Sequence, residues 1–384
     1  MTTATTSQPV RVKTPARPIR LAVVGMGERA AWMLKLMAKE SSGLRIEAVV
    51  DPDIEPTRQR IKDNQLPIAN KLRVLSDLEA FTQSGIDVDG VVVGTRCHLH
   101  TPLSIALSKT GLPIFLEKPV AISWAQLYEL RKAFGTPGCG PVVVSFPLRR
   151  TPIFEAVHAI VRSGRLGTIN QIQAINNVNY GNVYIDNWYR HYDLAGGLWL
   201  QKATHDFDYI HHLAGESPAF ISAMHSKRVW QDPVLNQDAG SALVQYPNGI
   251  HASYSQNFLT RKTAGKRGAT VTGEDGTVSF DWNTKSITVV SHNDERIENI
   301  SIEETEGHGG GDQRLAQNFI EVIQKKAASV TPMIDGLISA ATCLAARDAA
   351  HRRTVEPVPP QDDRGQKQLA KFNIEPPTDV RADD

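Results

Sequence analysis

Apolar positions in the first 140 residues fall into short blocks separated by amphipathic stretches, the alternation expected of strands and helices. Ile19 to Val24 is a compact apolar run leading into Gly25-Met26-Gly27-Glu28-Arg29-Ala30 and then an amphipathic stretch through Met37. Leu44 to Val50 is a second run, ending in Asp51, and Gly90 to Gly94 is another. After Gly94 come Thr95-Arg96-Cys97-His98-Leu99-His100, a helix-like stretch to Lys109, and Gly111 as its stop. The short strand Pro113 to Leu116 then closes on Glu117-Lys118-Pro119. Ser76-Asp77-Leu78-Glu79 and Ser123-Trp124-Ala125-Gln126 both fit a capping box, the serine hydroxyl satisfying a helix amide, and they place helices where the alternation needs them. The pattern predicts a doubly wound parallel sheet over residues 19–140.

Past the glycine-rich stretch Gly135 to Gly140 the period changes. Pro141 to Phe146 reads as one more strand and Ile153 to Arg162 as a helix stopped by Gly164, but Ile169 to Ile175 alternates apolar and polar residues. Asn248-Gly249 separates the strands Ser241 to Tyr246 and Ile250 to Gln256. Asp275-Gly276 separates Ala269 to Thr272 from Thr277 to Phe280. Both dipeptides suit a type I′ hairpin turn. Helices return at Asp312 to Lys325 and Thr331 to Ala350. The expectation is an α+β unit over 141–355 with a large, open, mainly antiparallel sheet, flanked by tails at 1–18 and 356–384. Such a sheet normally covers one face and leaves the other free.

Composition narrows the partners. Lys plus Arg (42) nearly balance Asp plus Glu (41), so no global field recruits nucleic acid or an acidic membrane. No apolar run reaches the length of a membrane span, and the stretch up to Arg17 lacks the apolar core of a signal peptide. Three scattered cysteines, Cys97, Cys139 and Cys343, argue for a reducing compartment, with the cytoplasm as the expected address. The predicted ligand is small and polar. His98/His100 and His211/His212 do not make a metal set, since no cysteine or carboxylate spacing beside them matches one.

Candidate chemistry begins at the first turn. In Gly25-x-Gly27-x-x-Ala30, the first glycine permits a tight turn, the second lets a pyrophosphate approach the backbone, and Ala30 allows close packing of helix on sheet. Met26, Glu28 and Arg29 fill the rest of that dinucleotide-binding turn, and the helix start offers unpaired N–H groups to phosphate. Asp51 stands 26 positions after Gly25, close to where an acidic residue accepts hydrogen bonds from the adenine-side ribose. A carboxylate there repels a 2′-phosphate, so NAD is favoured over NADP. Asp51-Pro52-Asp53 equally suits a turn that starts the next helix, and the two uses can coexist. In open parallel sheets ligands sit outside the carboxyl ends of the strands, which is where Thr95 and Lys118 emerge.

In the second half, Gln201, His205 and Asp208 recur at helical spacing and are expected to share a face, with Lys202 in reach of His205. A neutral imidazole suits removal of a hydroxyl proton during hydride transfer. Tyr189 and Arg190 can bind hydroxyls or a carboxylate, or pack on the sheet. Arg149 and Arg150 follow a strand end and face either cofactor or solvent. Gly309, Gly310 and Gly311 after His308 let that loop approach a ligand, while Asp312 can cap the following helix.

These ordered motifs resemble the Gfo/Idh/MocA family, named for glucose-fructose oxidoreductase and inositol dehydrogenase. The resemblance covers roughly residues 19 to 355 through Gly25-x-Gly27-x-x-Ala30, Asp51, Thr95 with His100, Glu117-Lys118-Pro119, and Gly196-Gly197 leading to His205 and Asp208. It implies a Rossmann domain with an α/β domain, NAD or NADP as cofactor, and sugars, cyclitols or related polyols as substrates. It also implies a homodimer or homotetramer built through the open sheet. Contacts of Thr95, Arg96, His100, Glu117 and Lys118 with the cofactor follow from the same resemblance. So does a role for Lys118, often preceding a cis proline bond, beside nicotinamide and the substrate hydroxyl, with His205 as the acid/base. Tyr189, Arg190, Gln201, His205 and His308 become candidates for the substrate pocket, and Lys202 for tuning His205 by charge.

Two departures stand out. Gln201 occupies the place of an aspartate found in many sugar dehydrogenases of the family, which removes a proton relay. Arg96 replaces the usual proline after the threonine. A non-catalytic NAD(P)-binding regulator and a glycoside-cleaving enzyme that retains its nicotinamide remain open beside the dehydrogenase.

Overall fold

In the computed structural model, which describes residues 18–179, 181–231, 237–303 and 307–361, the alternation of the first half folds into a six-stranded parallel sheet. Its strands are β1 (Arg20–Val24), β2 (Arg45–Val50), β3 (Ile68–Leu75), β4 (Gly90–Val93), β5 (Ile114–Leu116) and β6 (Val142–Val144). The helices between them are α1 (Glu28–Glu40), α2 (Ile54–Asp63), α3 (Leu78–Gln83), α4 (His100–Ser108) and α5 (Trp124–Phe134). The strand order is β3-β2-β1-β4-β5-β6. Winding therefore reverses between β1 and β4, and the crevice outside their carboxyl ends is the expected ligand position. Val91, Val92 and Val93 are wholly buried because helices cover both faces, as an uninterrupted apolar strand requires.

Two helix starts differ in detail from the sequence expectation. At α3 the cap is Asp77, whose carboxylate accepts from Ala80 N at 2.8 Å, while Ser76 donates to Asp77. An ionised carboxylate is the stronger partner for a helix amide. At α5, Ser123 does accept from Gln126 N, and the Gln126 side chain accepts from Ile122 N at 2.9 Å.

The second unit contains α6 (Pro152–Arg162), β7 (Ile169–Asn177), α7 (Tyr192–Ala195), α8 (Thr204–Ala214), β8 (Phe220–Ser226), β9 (Ala239–Gln245) and β10 (His251–Asn257). It continues through β11 (Lys266–Gly273), β12 (Gly276–Asp281), β13 (Ser286–Ser291), β14 (Ile297–Ser301), α9 (Gly311–Ile323), α10 (Met333–Arg352) and β15 (Val355–Pro357). Nine strands form one sheet, ordered β14-β13-β12-β11-β7-β10-β9-β8-β15 and antiparallel except where β7 runs parallel to β10. One face buries Ile172, Tyr254, Val271 and Val289 under helices. The other stays open and carries serines, threonines and glutamines.

Three expectations need correction. The boundary at 140 falls too early, because β6 pairs with β5. α9, assigned to the second unit, packs on α1 and sends Leu315, Ala316 and Phe319 into the core of the parallel sheet, where Phe319 meets Phe115 edge to face at 5.6 Å. The C-terminal tail begins later than 356, since Val355–Pro357 forms an edge strand on β8. Residues 1–17 and 362–384, the remainder of the expected tails, lie outside the described residues.

The hairpins form, but not on type I′ turns. At the first, only Gly249 is left-handed (φ 91°), and Gly249 N donates to Tyr246 O, a three-residue loop with Pro247 at its start. At the second, Gly276 already pairs with Ser291 as part of β12.

Candidate active site

The glycine-rich turn is shaped for a pyrophosphate. Gly25 holds φ 83°, and a Cβ there would come within 2.5 Å of Thr95 Cγ2, so the turn lies directly on the loop after β4. Gly27 caps α1 in extended conformation, leaving the first-turn amides of α1 aimed outward. Glu28 is exposed in that first turn. Asp51 at the end of β2 accepts from Met26 N (2.9 Å) and Asp53 N (3.0 Å). It thus holds the turn and starts α2, and its two oxygens retain further acceptor capacity for a ribose. Arg60 donates to Met26 O from α2. This cradle fits a nicotinamide dinucleotide.

Several expected cofactor contacts are spoken for by protein. Arg29 donates through Nε to Glu117 (3.1 Å) and grips Asp312 with both terminal nitrogens, one at 2.8 Å, so the side chains of Arg29 and Glu117 are turned toward each other. His100 is buried, its ring nitrogens 2.7 Å from Pro119 O and 3.1 Å from Thr95 O. It brackets the two strand ends against each other, and burial lowers its pKa to about 4. Thr95 lies under Gly25, and Arg96 is exposed beside it.

Lys118 follows a strand end and precedes proline across a cis peptide bond. Its Nζ donates to the main-chain carbonyl of Gln201 at 2.6 Å. Enclosure, opposed by neighbouring Cys97 and Glu117, lowers its pKa to about 8. Residues Trp199–Ala203 form a π-helical turn that runs into α8, a widening that local spacing cannot forecast. His205 stands in the first turn of α8, buried, with its ring edge to face against Phe146 and its centroid 5.9 Å from that of His308. Burial first, then Lys118 and Arg267, holds its pKa well below the usual imidazole range. The site thus gathers Lys118 from the parallel sheet and His205 from the second unit around one electrostatic environment.

The shared face proposed for Gln201, His205 and Asp208 does not form. The Gln201 amide donates to the buried Cys97 Sγ at 2.8 Å in place of facing a substrate, and burial raises the thiol to about 12. Asp208 pairs with Arg149 at 2.8 Å, and Arg149 also reaches Asp335, so this arginine faces neither cofactor nor solvent. Arg150 pairs with Glu155. Lys202 lies with His308, Asn176, Asn179 and Arg267 around a cavity of about 190 Å³. Tyr189 stacks on Trp188 at 4.0 Å and packs with Tyr184, and its phenol is pushed up by burial, while Arg190 is half-buried in the same turn.

Sequence reasoning missed Cys97, Asp206, Arg267 and the role of Asp312. Asp206 is fully buried, accepting from Asn176 (2.7 Å), Tyr254 (2.8 Å) and Arg267 (2.9 Å), and so fixes the cavity wall. Arg267 and Asn176 are cross-strand partners on β11 and β7, a register no local signal carries. Asp312 is not the helix cap. Gly310 occupies that place, and Asp312 is the acceptor of Arg29, Trp32 and His308. Among cysteines, Cys97 alone had a positional clue, in the loop after β4.

Comparison with known proteins agrees with this architecture. The oxidoreductase-family model for an NAD-binding Rossmann fold matches residues 19–145, and that for a C-terminal alpha/beta domain matches 159–359. An oxidoreductase, P35, from Formosa agariphila is 24% identical over 78% of this chain and 94% of its own length. An inositol 2-dehydrogenase from Corynebacterium glutamicum is 24% identical over 55% of this chain and 59% of its own. Levoglucosan dehydrogenase in complex with NADH and levoglucosan superposes with a TM-score of 0.79 at 17% identity, over 89% of this chain and 100% of that one. No helix among the described residues is long and apolar enough to cross a membrane. The chain belongs to the Gfo/Idh/MocA family of NAD(P)-dependent oxidoreductases.

Proposed function

We propose that the protein interconverts a secondary hydroxyl and a ketone on a sugar, cyclitol or related polyol, with NAD as the hydride carrier. When bound, the nicotinamide supplies the two-electron acceptor. The observation that carries this reading is the approach of Lys118 and His205, which lie far apart in sequence: the lysine ammonium bonds the Gln201 carbonyl in the turn just before His205 and is near enough to oppose protonation of that ring. The Lys118 ammonium polarises the reacting oxygen. His205, kept neutral by burial and by its cationic surroundings, accepts the hydroxyl proton, and Lys202 tunes it by charge. The asparagines and Lys202 lining the cavity offer donors and acceptors suited to several hydroxyls. Asp51 at the end of β2 supports NAD over NADP by repelling a 2′-phosphate.

The open sheet face supports a homodimer or homotetramer. Met224 and Leu243, 78% and 60% exposed, point from that face among small polar residues. Leu243→Glu should shift the mass measured by light scattering toward the monomer. Three cysteines outside any disulfide support a reducing compartment such as the cytoplasm.

The test is NADH absorbance with purified protein across sugars, cyclitols and their keto forms, with NADP run alongside. Exchange with at least one polyol, preferring NAD, is expected. Absence of exchange across the panel in either direction would overturn the reading.

A further inference from the structure

Resting on the oxidoreductase reading above, we propose that His308, held by Asp312, is the proton outlet of the active site: it receives the proton that His205 takes from the reacting hydroxyl and delivers it to solvent.

His205 is poorly placed to keep a proton. It is 7% exposed, its Nδ1 has no hydrogen-bond partner, and the charged groups around it are Lys118, Lys202 and Arg267. The residue one turn before it is the neutral Gln201, whose amide is engaged by Cys97. The neighbouring Asp206 is turned to Arg267, Asn176 and Tyr254. Among the described residues an imidazolium at 205 therefore finds no carboxylate paired with it, and its proton must move on.

The next proton-accepting group is His308, whose ring centroid is 5.9 Å away, a separation that one water or a substrate hydroxyl bridges. His308 Nδ1–H donates to Asp312 Oδ2 at 3.0 Å. Asp312 is 1% exposed and also accepts from Arg29 and from Trp32 Nε1 at 3.1 Å, so it is held as an anion well below the usual carboxylate range. An obligate acceptor on the Nδ1 side leaves Nε2 of the neutral ring as the base, and the same carboxylate stabilises the imidazolium once formed. The His308 side chain is 34% exposed and lines the cavity that also holds Lys202 and Arg267, which gives its proton a way out. The groups facing it are Asp312 on α9, Arg29 on α1, Arg267 on β11, Lys202 in the π turn and His205 at the start of α8. Enclosure lowers its pKa and Asp312 opposes that shift. The turn is built to reach Asp312, since His308 itself has φ 44° between left-handed Gly307 and Gly309.

Only proton transfers are added to the oxidation. The hydroxyl O–H bond breaks as an N–H bond forms on His205. That proton then passes to His308 Nε2, and His308 releases it to water. The two electrons leave with the carbinol hydride, as in the parent reaction. Asp312 is a positioning residue, acting through His308.

The test compares the full chain with His308→Asn and His205→Asn. Asparagine tolerates positive φ and keeps a donor for Asp312, yet cannot carry a proton. For alcohol oxidation, His308→Asn should lose roughly 10²-fold in kcat with KM nearly unchanged, and added imidazole should restore part of it. Full turnover with an unaltered pH profile, or a rise in KM alone, would overturn the outlet. If His205→Asn is inactive while His308→Asn runs normally, the outlet falls and the oxidoreductase reading stands. If neither variant changes the rate, both fall. A second measurement needs no turnover: imidazole ¹⁵N shifts of His308 in cofactor-free protein should show the Nδ1–H tautomer, lost in Asp312→Asn. The opposite tautomer in the unaltered protein would overturn the proposal.

Discussion

Lys118 and Gln201, 83 residues apart, are joined by a 2.6 Å hydrogen bond from the lysine ammonium to the main-chain carbonyl, so the end of β5 is tied to the π turn that presents His205. The contact uses Gln201 for its backbone, and the charge of the amine fixes the approach of the two units. Charge-assisted bonds of this kind are stronger than neutral ones.

Lys118→Met should cut kcat by two orders of magnitude or more while NAD affinity persists, because it removes the amine that polarises the oxygen and leaves the cradle at Gly25 intact. Steady-state kinetics with calorimetric NAD titration separate the two effects. Loss of both together would mean that Lys118 holds the cleft open and does not act on the substrate.

The alkaline limb of the oxidation profile should fall near pH 8, where Lys118 loses its proton. The acid limb should lie well below the ordinary imidazole range, since burial first, and then the cations around it, oppose protonation of His205. kcat/KM measured from acid to alkaline pH, in wild type and in Lys118→Met, reads both limbs, and only the alkaline one should vanish in the variant.

Stability should fall in acid. Burial lowers His100 and His211 to about 4 and about 3 when folded, against about 6.5 for a free imidazole. Above that value both states hold these rings neutral and pH has no effect through them. As pH falls below it, the unfolded chain takes up protons the folded one refuses, at about 1.4 kcal/mol per pH unit for each ring. Urea unfolding at a neutral and a mildly acidic pH should show this loss.

Gly25→Ala should weaken NAD binding and lower stability by about 1–2 kcal/mol, since φ 83° suits glycine and the new Cβ would sit 2.5 Å from Thr95 Cγ2. Calorimetric titration and thermal unfolding test it.

Arg29→Met should destabilise the protein by about 2–3 kcal/mol, because it strips Glu117 and the buried Asp312 of their cation. The deficit should be visible as a lower urea midpoint. A midpoint equal to wild type would show that Trp32 and His308 suffice for Asp312.

Much of the fold was legible because its signals are local. Val91 to Val93 announce a strand buried on both faces, Gly25 a turn with positive φ, and Ser123 a helix start, each decided by a few adjacent residues. Lys118 stood out for its place after a strand and His205 for its place in a helical stretch of polar residues. What failed depended on direction: Gln201 and Asp208 have helical spacing with His205, but the π turn and the pull of Cys97 and Arg149 point them elsewhere.

The sequence by itself determined the order of elements, the parallel then antiparallel character of the two sheets, and the residue types able to hold a dinucleotide and move a proton. Tertiary structure alone decided that Arg29 would meet Asp312 across 283 residues, that Asp312 would stand behind His308, and that Arg267 and Asn176 would share Asp206. The reason is physical. Periodicity and turn chemistry act over one helical turn or one hairpin, whereas the partner of a buried charge is chosen by packing among segments distant in the chain, where desolvation makes a partner necessary without naming it.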